Sequence, residues 1–150
     1  MKMLKTLVLA LVLAGWAGLA QARLEPYKDY DVSDAVSSVT TVKVDPNMMD
    51  VYLEGLRDSW VAANKVAKEM GYIKDFKIYI SDLPLSGNFN LALVIYYDKA
   101  ADLEPNKEKY MKFMQKWGEE REKKSNAIAK TYPDVRTITG EYRMRELTLK

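Results

Sequence analysis

The 150-residue chain contains no cysteine and no histidine. Without thiols there is no disulfide staple and no thiolate nucleophile, so stability has to come from packing. Without imidazole, His-based triads, imidazole general bases, His-ligated zinc or copper and His-ligated haem are excluded together. Glycine is sparse, with seven residues, and no glycine-rich phosphate cradle forms; Gly87 and Gly140 stand as isolated turn or bulge residues. No cluster of metal-ligating side chains and no nucleophile beside a base is visible, so no cofactor and no metal are expected.

What is present begins with a leader-like segment. Lys2 and Lys5 precede the apolar run Leu7–Leu13, and the stretch closes on Ala20-Gln21-Ala22, a small-x-small cleavage pattern. Residues 1–22 therefore read as a secretory signal peptide, which makes the protein periplasmic or secreted. Even extended from Thr6 to Ala20, the run falls short of the roughly 20 residues that span a bilayer. No cysteine follows it to carry a lipid, and no membrane attachment is expected after cleavage. Setting Lys2 and Lys5 aside reduces the 23 Lys and Arg residues to 21, equal to the 21 Asp and Glu residues. A formally neutral chain without clustered positive charge has no nucleic-acid footprint.

From Arg23 to Ser38 the text is polar and acidic, with scattered tyrosines and no period, and reads as an irregular arm. Its Asp29, Asp31 and Asp34 fail the spacing of a calcium loop. The remainder, 39–150, reads as one domain. The β-branched "VTTVKV" (39–44) predicts a strand. Asp45-Pro46 then supplies an N-cap and a first helical proline. Met49, Leu53, Leu56, Trp60, Ala63, Ala67 and Met70 form an apolar stripe that ends at Gly71. Gly55 within it marks close packing or a bend. "FKIYISDL" (76–83) alternates as a strand, "PLSGNFN" turns the chain, and "NLALVIYYDKA" (90–100) is the next strand. A second helix starts near Pro105 or Asn106, with Tyr110, Phe113, Met114 and Trp117 on one face. A kink is expected at Gly118, and i,i+4 pairs are expected between Glu119 and Lys123 and between Glu120 and Lys124. The last strand, Val135–Leu149, alternates Ile138, Tyr142 and Met144 against Thr137, Thr139, Glu141 and Arg143, with a bulge expected at Gly140.

Strand, helix, strand, strand, helix, strand is the split βαβ order. The fold class is α+β, ferredoxin-like (βαββαβ), a four-stranded antiparallel sheet with two helices on one face. With Leu91, Leu93, Ile95 and Tyr97 turned to the helices, Ala92, Val94 and Tyr96 occupy the other face. Tyr79, Lys43, Glu141 and Arg143 are expected beside them. Leaving Val94 and Tyr96 in water forfeits roughly 1.5–3 kcal/mol per large side chain, so a cover is expected over that face.

On the element order, on "DPNMMDVYLEGLRDSWVAANKVAKEMG" and on the closing "RMRELTL", the chain resembles the dimeric α/β-barrel superfamily. It is similar to secreted, functionally unassigned proteins of that type. The resemblance implies a homodimer whose protomers press their sheets together, and in some members a small-molecule pocket between sheet and helices. It also implies activities such as oxygen-dependent monooxygenation, haem degradation or isomerisation. Haem-degrading members use an Asn, Trp and His set, of which Asn64, Trp60 and Trp117 have counterparts here and the histidine does not.

Three function classes follow. One is an exported, non-catalytic or small-ligand-binding protein that dimerises through the helix-free face of its sheet. The second is a cofactor-free monooxygenase or isomerase-like enzyme with a Tyr and carboxylate pocket, and the third is an adaptor for another exported protein. Tyr79, Tyr96, Glu141 and Arg143 are the ligand-binding candidates, and no residue is assigned a catalytic role.

Overall fold

The computed structural model describes residues 23–150; the expected leader lies outside them. The described residues divide into two compact units, one holding residues 23–31 together with Leu149–Lys150, the other Val32–Thr148. In the described part of the first, the Lys150 N–H donates to the Asp29 carbonyl at 2.9 Å. The Lys150 ammonium pairs with Asp31 at 3.0 Å. The arm expected to be irregular holds a short strand, β1 (Tyr30–Val32), paired with β6 (Leu147–Leu149).

The second unit carries β2 (Val36–Val44), β3 (Asp75–Ile80), β4 (Leu91–Tyr97) and β5 (Arg136–Met144). They form an antiparallel sheet in the order β3-β4-β2-β5. The first and third strands are central and the second and fourth are edges, which is the ferredoxin-like arrangement. β2 starts at Val36, three residues before the predicted start. Ser37 and Ser38 lack strand propensity of their own, but the ladder to Tyr96 and Ile95 recruits them.

One face of this sheet packs on helices. Val42, Val44, Leu91 and Leu93 meet Tyr52, Leu56, Tyr132 and Val135 in the core. Each full burial of such an aliphatic chain stabilises by about 1.5–3 kcal/mol. The first helix begins later than predicted. Asn47 has φ +64° and the Met48 N–H closes a turn onto the Asp45 carbonyl at 3.1 Å, so Pro46 sits in that turn and α1 runs Met49–Leu56. A π-helical turn, Arg57–Val61, joins α1 to α2 (Ala62–Glu69). Within it the Ser59 hydroxyl donates to the Gly55 carbonyl at 2.8 Å. Beyond the widened turn the buried positions are Asn64 and Val66, whereas Ala63, Ala67 and Met70 of the predicted stripe are only half-buried. Gly55 marks close packing: a Cβ there would lie 3.1 Å from both Ile128 Cγ2 and Tyr132 Cε1.

The second helix is two. α3 (Lys107–Trp117) is capped by the Asn106 side chain, which accepts from the Lys109 N–H at 2.8 Å. Gly118, at φ +88° and ψ +145°, breaks the chain before α4 (Glu119–Ala129), which buries no residue. The indole N–H of buried Trp117 crosses the break to donate to Glu122 at 2.9 Å. Of the two predicted ion pairs only Glu119–Lys123 forms, at 2.8 Å. Lys124 reaches Asp58 instead, at 3.0 Å, and with Arg57 it holds that carboxyl below its ordinary range. Because Gly118 occupies a backbone region nearly closed to other residues, Gly118→Ala should cost about 1–3 kcal/mol. The shift of the chemical-denaturation midpoint at constant slope measures it.

Candidate functional site

Side chains alternate across each strand, and residues paired in register share a face. Asp75, Lys77 and Tyr79 of β3 pair with Tyr96, Val94 and Ala92 of β4. These in turn pair with Ser37, Val39 and Thr41 of β2, which puts all nine on the face opposite the core. The expectation for Val94 and Tyr96 is corrected in part. Flanked in register by Val39 and Lys77, Val94 is already only 6% exposed, and Tyr96 is half-buried. The apolar surface left open on this face lies on the edge strands, where Tyr79 is 46% exposed, Tyr142 51% and Met144 57%.

Tyr142 and Met144 reach that face because of a bulge. The register of β5 on β2 shifts between Thr41 and Val42: Ile138 pairs with Val42 and Gly140 with Thr41, leaving Thr139 extra. The Thr139 hydroxyl donates to that of Thr41 at 3.0 Å, which ties down the extra residue. Gly140 has no Cβ, and the Tyr142 ring uses the space, since a Cβ would fall 2.7 Å from its Cε2 and Cζ. After an insertion of one residue the two faces exchange. Tyr142 and Met144 therefore leave the helix side, and Glu141 and Arg143, opposite Thr40 and Ser38, join it. This corrects the expected placement of Glu141 and Arg143. Arg143 is close enough to Tyr97, on the helix side, to oppose the upward push that burial gives its phenol.

The four candidate residues thus fall into two pairs. Tyr79 and Tyr96 are brought together, their hydroxyls hydrogen-bonded at 2.8 Å. Glu141 and Arg143 line a different hollow, of about 290 Å³, with Ser38 and Tyr142 and without that pair. The hydrogen bond to Tyr79, aided by desolvation, pushes the Tyr96 phenol up to about 12. A phenol raised in the folded state adds stability that is fully present below its unfolded pKa, near 10, and is lost as pH rises toward 12. Tyr79→Phe should bring the Tyr96 ionisation back toward 10, read from the Tyr96 Cζ chemical shift during titration. An unchanged midpoint would show that the two hydroxyls do not interact.

Beside Tyr96, at one end of the sheet, lies a groove of about 320 Å³. Lys74, Lys77, Tyr97, Met144 and Glu146 contribute to its walls. The Lys77 ammonium stands 5.7 Å from the centre of the Tyr96 ring. Lys74 is tied to Asp98 at 3.1 Å and Asp75 to Lys68 at 2.8 Å. Among these wall residues sequence reasoning found only Tyr96. The alternation of β3 could have pointed to Lys77, but nothing local marks Glu146 or Met144.

Between sheet and helices, aromatic side chains pack around the core cluster. Tyr52 and Tyr132 meet edge to face, their ring centres 5.1 Å apart, and Tyr132 hydrogen-bonds Ser59. The Arg136 guanidinium lies over both rings, at 5.9 and 5.3 Å. Burial raises both phenols, and the charge of Arg136 opposes the rise. The Asn64 amide donates to the Trp60 carbonyl at 2.8 Å, and Trp60 packs edge-on against Phe76. Among the described residues no group of three or more His, Cys, Asp or Glu side chains could hold a metal ion, and no helix is long and apolar enough to cross a membrane.

No protein-family model matches the chain, and no curated protein is similar to it at a significant level. Among solved structures it is similar to a dimeric protein of unknown function and ferredoxin-like fold from Bacteroides fragilis. That pair is 13% identical with a TM-score of 0.40, covering 80% of this chain and 100% of the other. It is also similar to a NIPSNAP-family protein of unknown function from Agrobacterium tumefaciens, at 10% identity and TM-score 0.47, covering 81% and 95%. A dimeric ferredoxin-like protein of unknown function from Thermobifida fusca matches at 10% identity and TM-score 0.39, covering 76% and 91%. The ferredoxin-like assignment of this chain rests on its own strand order and register.

Proposed function

We propose that this chain is an exported, non-catalytic protein that forms a homodimer through the helix-free face of its sheet and takes a small-molecule ligand in the groove at that sheet's end. The observation that carries the reading is the row of half-exposed Tyr79, Tyr142 and Met144 around buried Val94, on the face turned away from the core. A patch with an apolar centre and aromatic flanks has the composition of an association surface. Two copies related by a two-fold axis would oppose identical patches. Export rests on the leader-like residues 1–22.

The enzymatic alternative, a cofactor-free monooxygenase or isomerase, asks for a phenol or carboxylate poised near neutral pH. Tyr96 is displaced in the opposite direction, to about 12, and is held protonated against Tyr79. A phenol in that state donates hydrogen bonds and does not remove protons, which favours a binding role. Light scattering on the purified protein should give twice the chain mass at micromolar concentration, and a particle of single-chain mass overturns the dimer. Native mass spectrometry of the same sample tests for a co-purifying small molecule.

A further inference from the structure

A further open hollow, of about 240 Å³, shares Tyr97 with the sheet groove. Tyr72 and Ile73 border it after α2, Tyr97 at the end of β4, and Tyr110 and Phe113 on α3. Asp102 and Glu104, on the short segment before α3, complete the rim with Lys109. Four aromatic rings and two carboxylates around one small space is the composition that recognises an organic cation. Ring faces carry negative charge density, and a carboxylate completes the attraction.

The chain itself supplies a cation to this cavity. The Lys109 ammonium stands 5.5 Å from the centre of the Tyr72 ring, within the roughly 6 Å reach of a cation–π contact. The same ammonium lies 3.6 Å from Asp102. Two carboxylates against one ammonium leave Glu104 over, and among the described residues Glu104 is in no ion pair. The start of α3 would favour an anion, but the Asn106 side chain already occupies the Lys109 N–H there. The volume lies below the roughly 300–1,000 Å³ of sites for drug-sized ligands, which restricts the occupant to a few heavy atoms.

We propose that this cavity binds a small organic ammonium ion, held between the Tyr72, Tyr97, Tyr110 and Phe113 rings and the Asp102 and Glu104 carboxylates, with Lys109 as a built-in competitor. The site lies within one chain and does not depend on self-association, so a protein that stays monomeric leaves it intact.

The test is a titration of the isotopically labelled protein, followed by amide chemical shifts. The probes are choline and 3,3-dimethylbutan-1-ol, which has the same shape without the charge. Choline should give saturable shifts at Tyr72, Tyr110 and Phe113, with a dissociation constant at least tenfold lower than that of the alcohol. Glu104→Gln should weaken choline binding threefold to tenfold, and Lys109→Met should tighten it several-fold by removing the competitor. Propylamine acting in choline's place would also support the site and extend it to primary ammonium groups. Equal shifts with the neutral alcohol, or no saturable shift with either choline or propylamine in the natural protein and in Lys109→Met, would overturn the proposal.

Discussion

Asn90→Ala should lower the free energy of unfolding by about 2–6 kcal/mol. Asn90 immediately precedes β4 and is only 7% exposed. Its Oδ1 accepts from the Val44 N–H at 2.8 Å and its Nδ2 donates to the Val44 carbonyl at 2.9 Å. Its main chain takes part as well: the Asn90 N–H donates to the Val42 carbonyl at 3.0 Å, and its carbonyl accepts from the Ser81 N–H at 2.9 Å. The side-chain amide thus acts as one more rung between β2 and β4, at the point where the ladder ends. Alanine keeps the main-chain bonds and strands both polar groups of Val44 in a nearly dry site, each loss costing about 1–3 kcal/mol.

Asn90→Asp separates the two bonds. A carboxylate still accepts from the Val44 N–H but faces the Val44 carbonyl with a second acceptor, so at neutral pH it should be at least as damaging as alanine. Protonation restores a donor, and the deficit of Asn90→Asp relative to the natural protein should shrink as pH falls below the carboxyl pKa. Urea unfolding at pH 7 and pH 4 reads both effects. An alanine variant within about 0.5 kcal/mol of the natural protein, the range of ordinary surface substitutions, would mean that this amide does not hold the strand end.

Sequence pattern made the strand order legible because the strands keep period two and the helices keep the 3.6 period where they face the core. It failed where one residue is inserted or one contact comes from far along the chain. The π turn at Arg57–Val61 and the bulge at Thr139 and Gly140 each shift a face without changing composition. Gly140 signalled the bulge, but a glycine does not say that Glu141 and Arg143 exchange sides with Tyr142 and Met144. Tyr52, fully buried, falls outside the predicted stripe because its partners Tyr132 and Arg136 arrive from a region about eighty residues later in the chain. Tyr79 and Tyr96 were readable as neighbours because a hairpin fixes the pairing of alternate positions. The cavity around Tyr72 and Tyr110 was not, since it is assembled from four separate segments.

If the helix-free face is where two copies meet, Tyr142→Asp should raise the dimer dissociation constant by at least 100-fold while leaving each subunit folded. Tyr142 is half-exposed and stands on an edge strand, so the single chain loses little core packing when it changes. An isologous contact presents every substitution twice, and each carboxylate would be desolvated with no cation on β5 facing the same side: Arg143 lies on the other face. A hundredfold change corresponds to about 2.7 kcal/mol, well within the cost of burying unpaired charge at an interface. Arg143→Asp is the matched control, because it places the same charge one residue away on the helix-side face. Sedimentation of the two variants should show single chains for Tyr142→Asp and dimers for Arg143→Asp. Dissociation by the control alone would move the contact to the edge of β5 or to its helix-side face, and dimers from both variants would place it elsewhere on the protein.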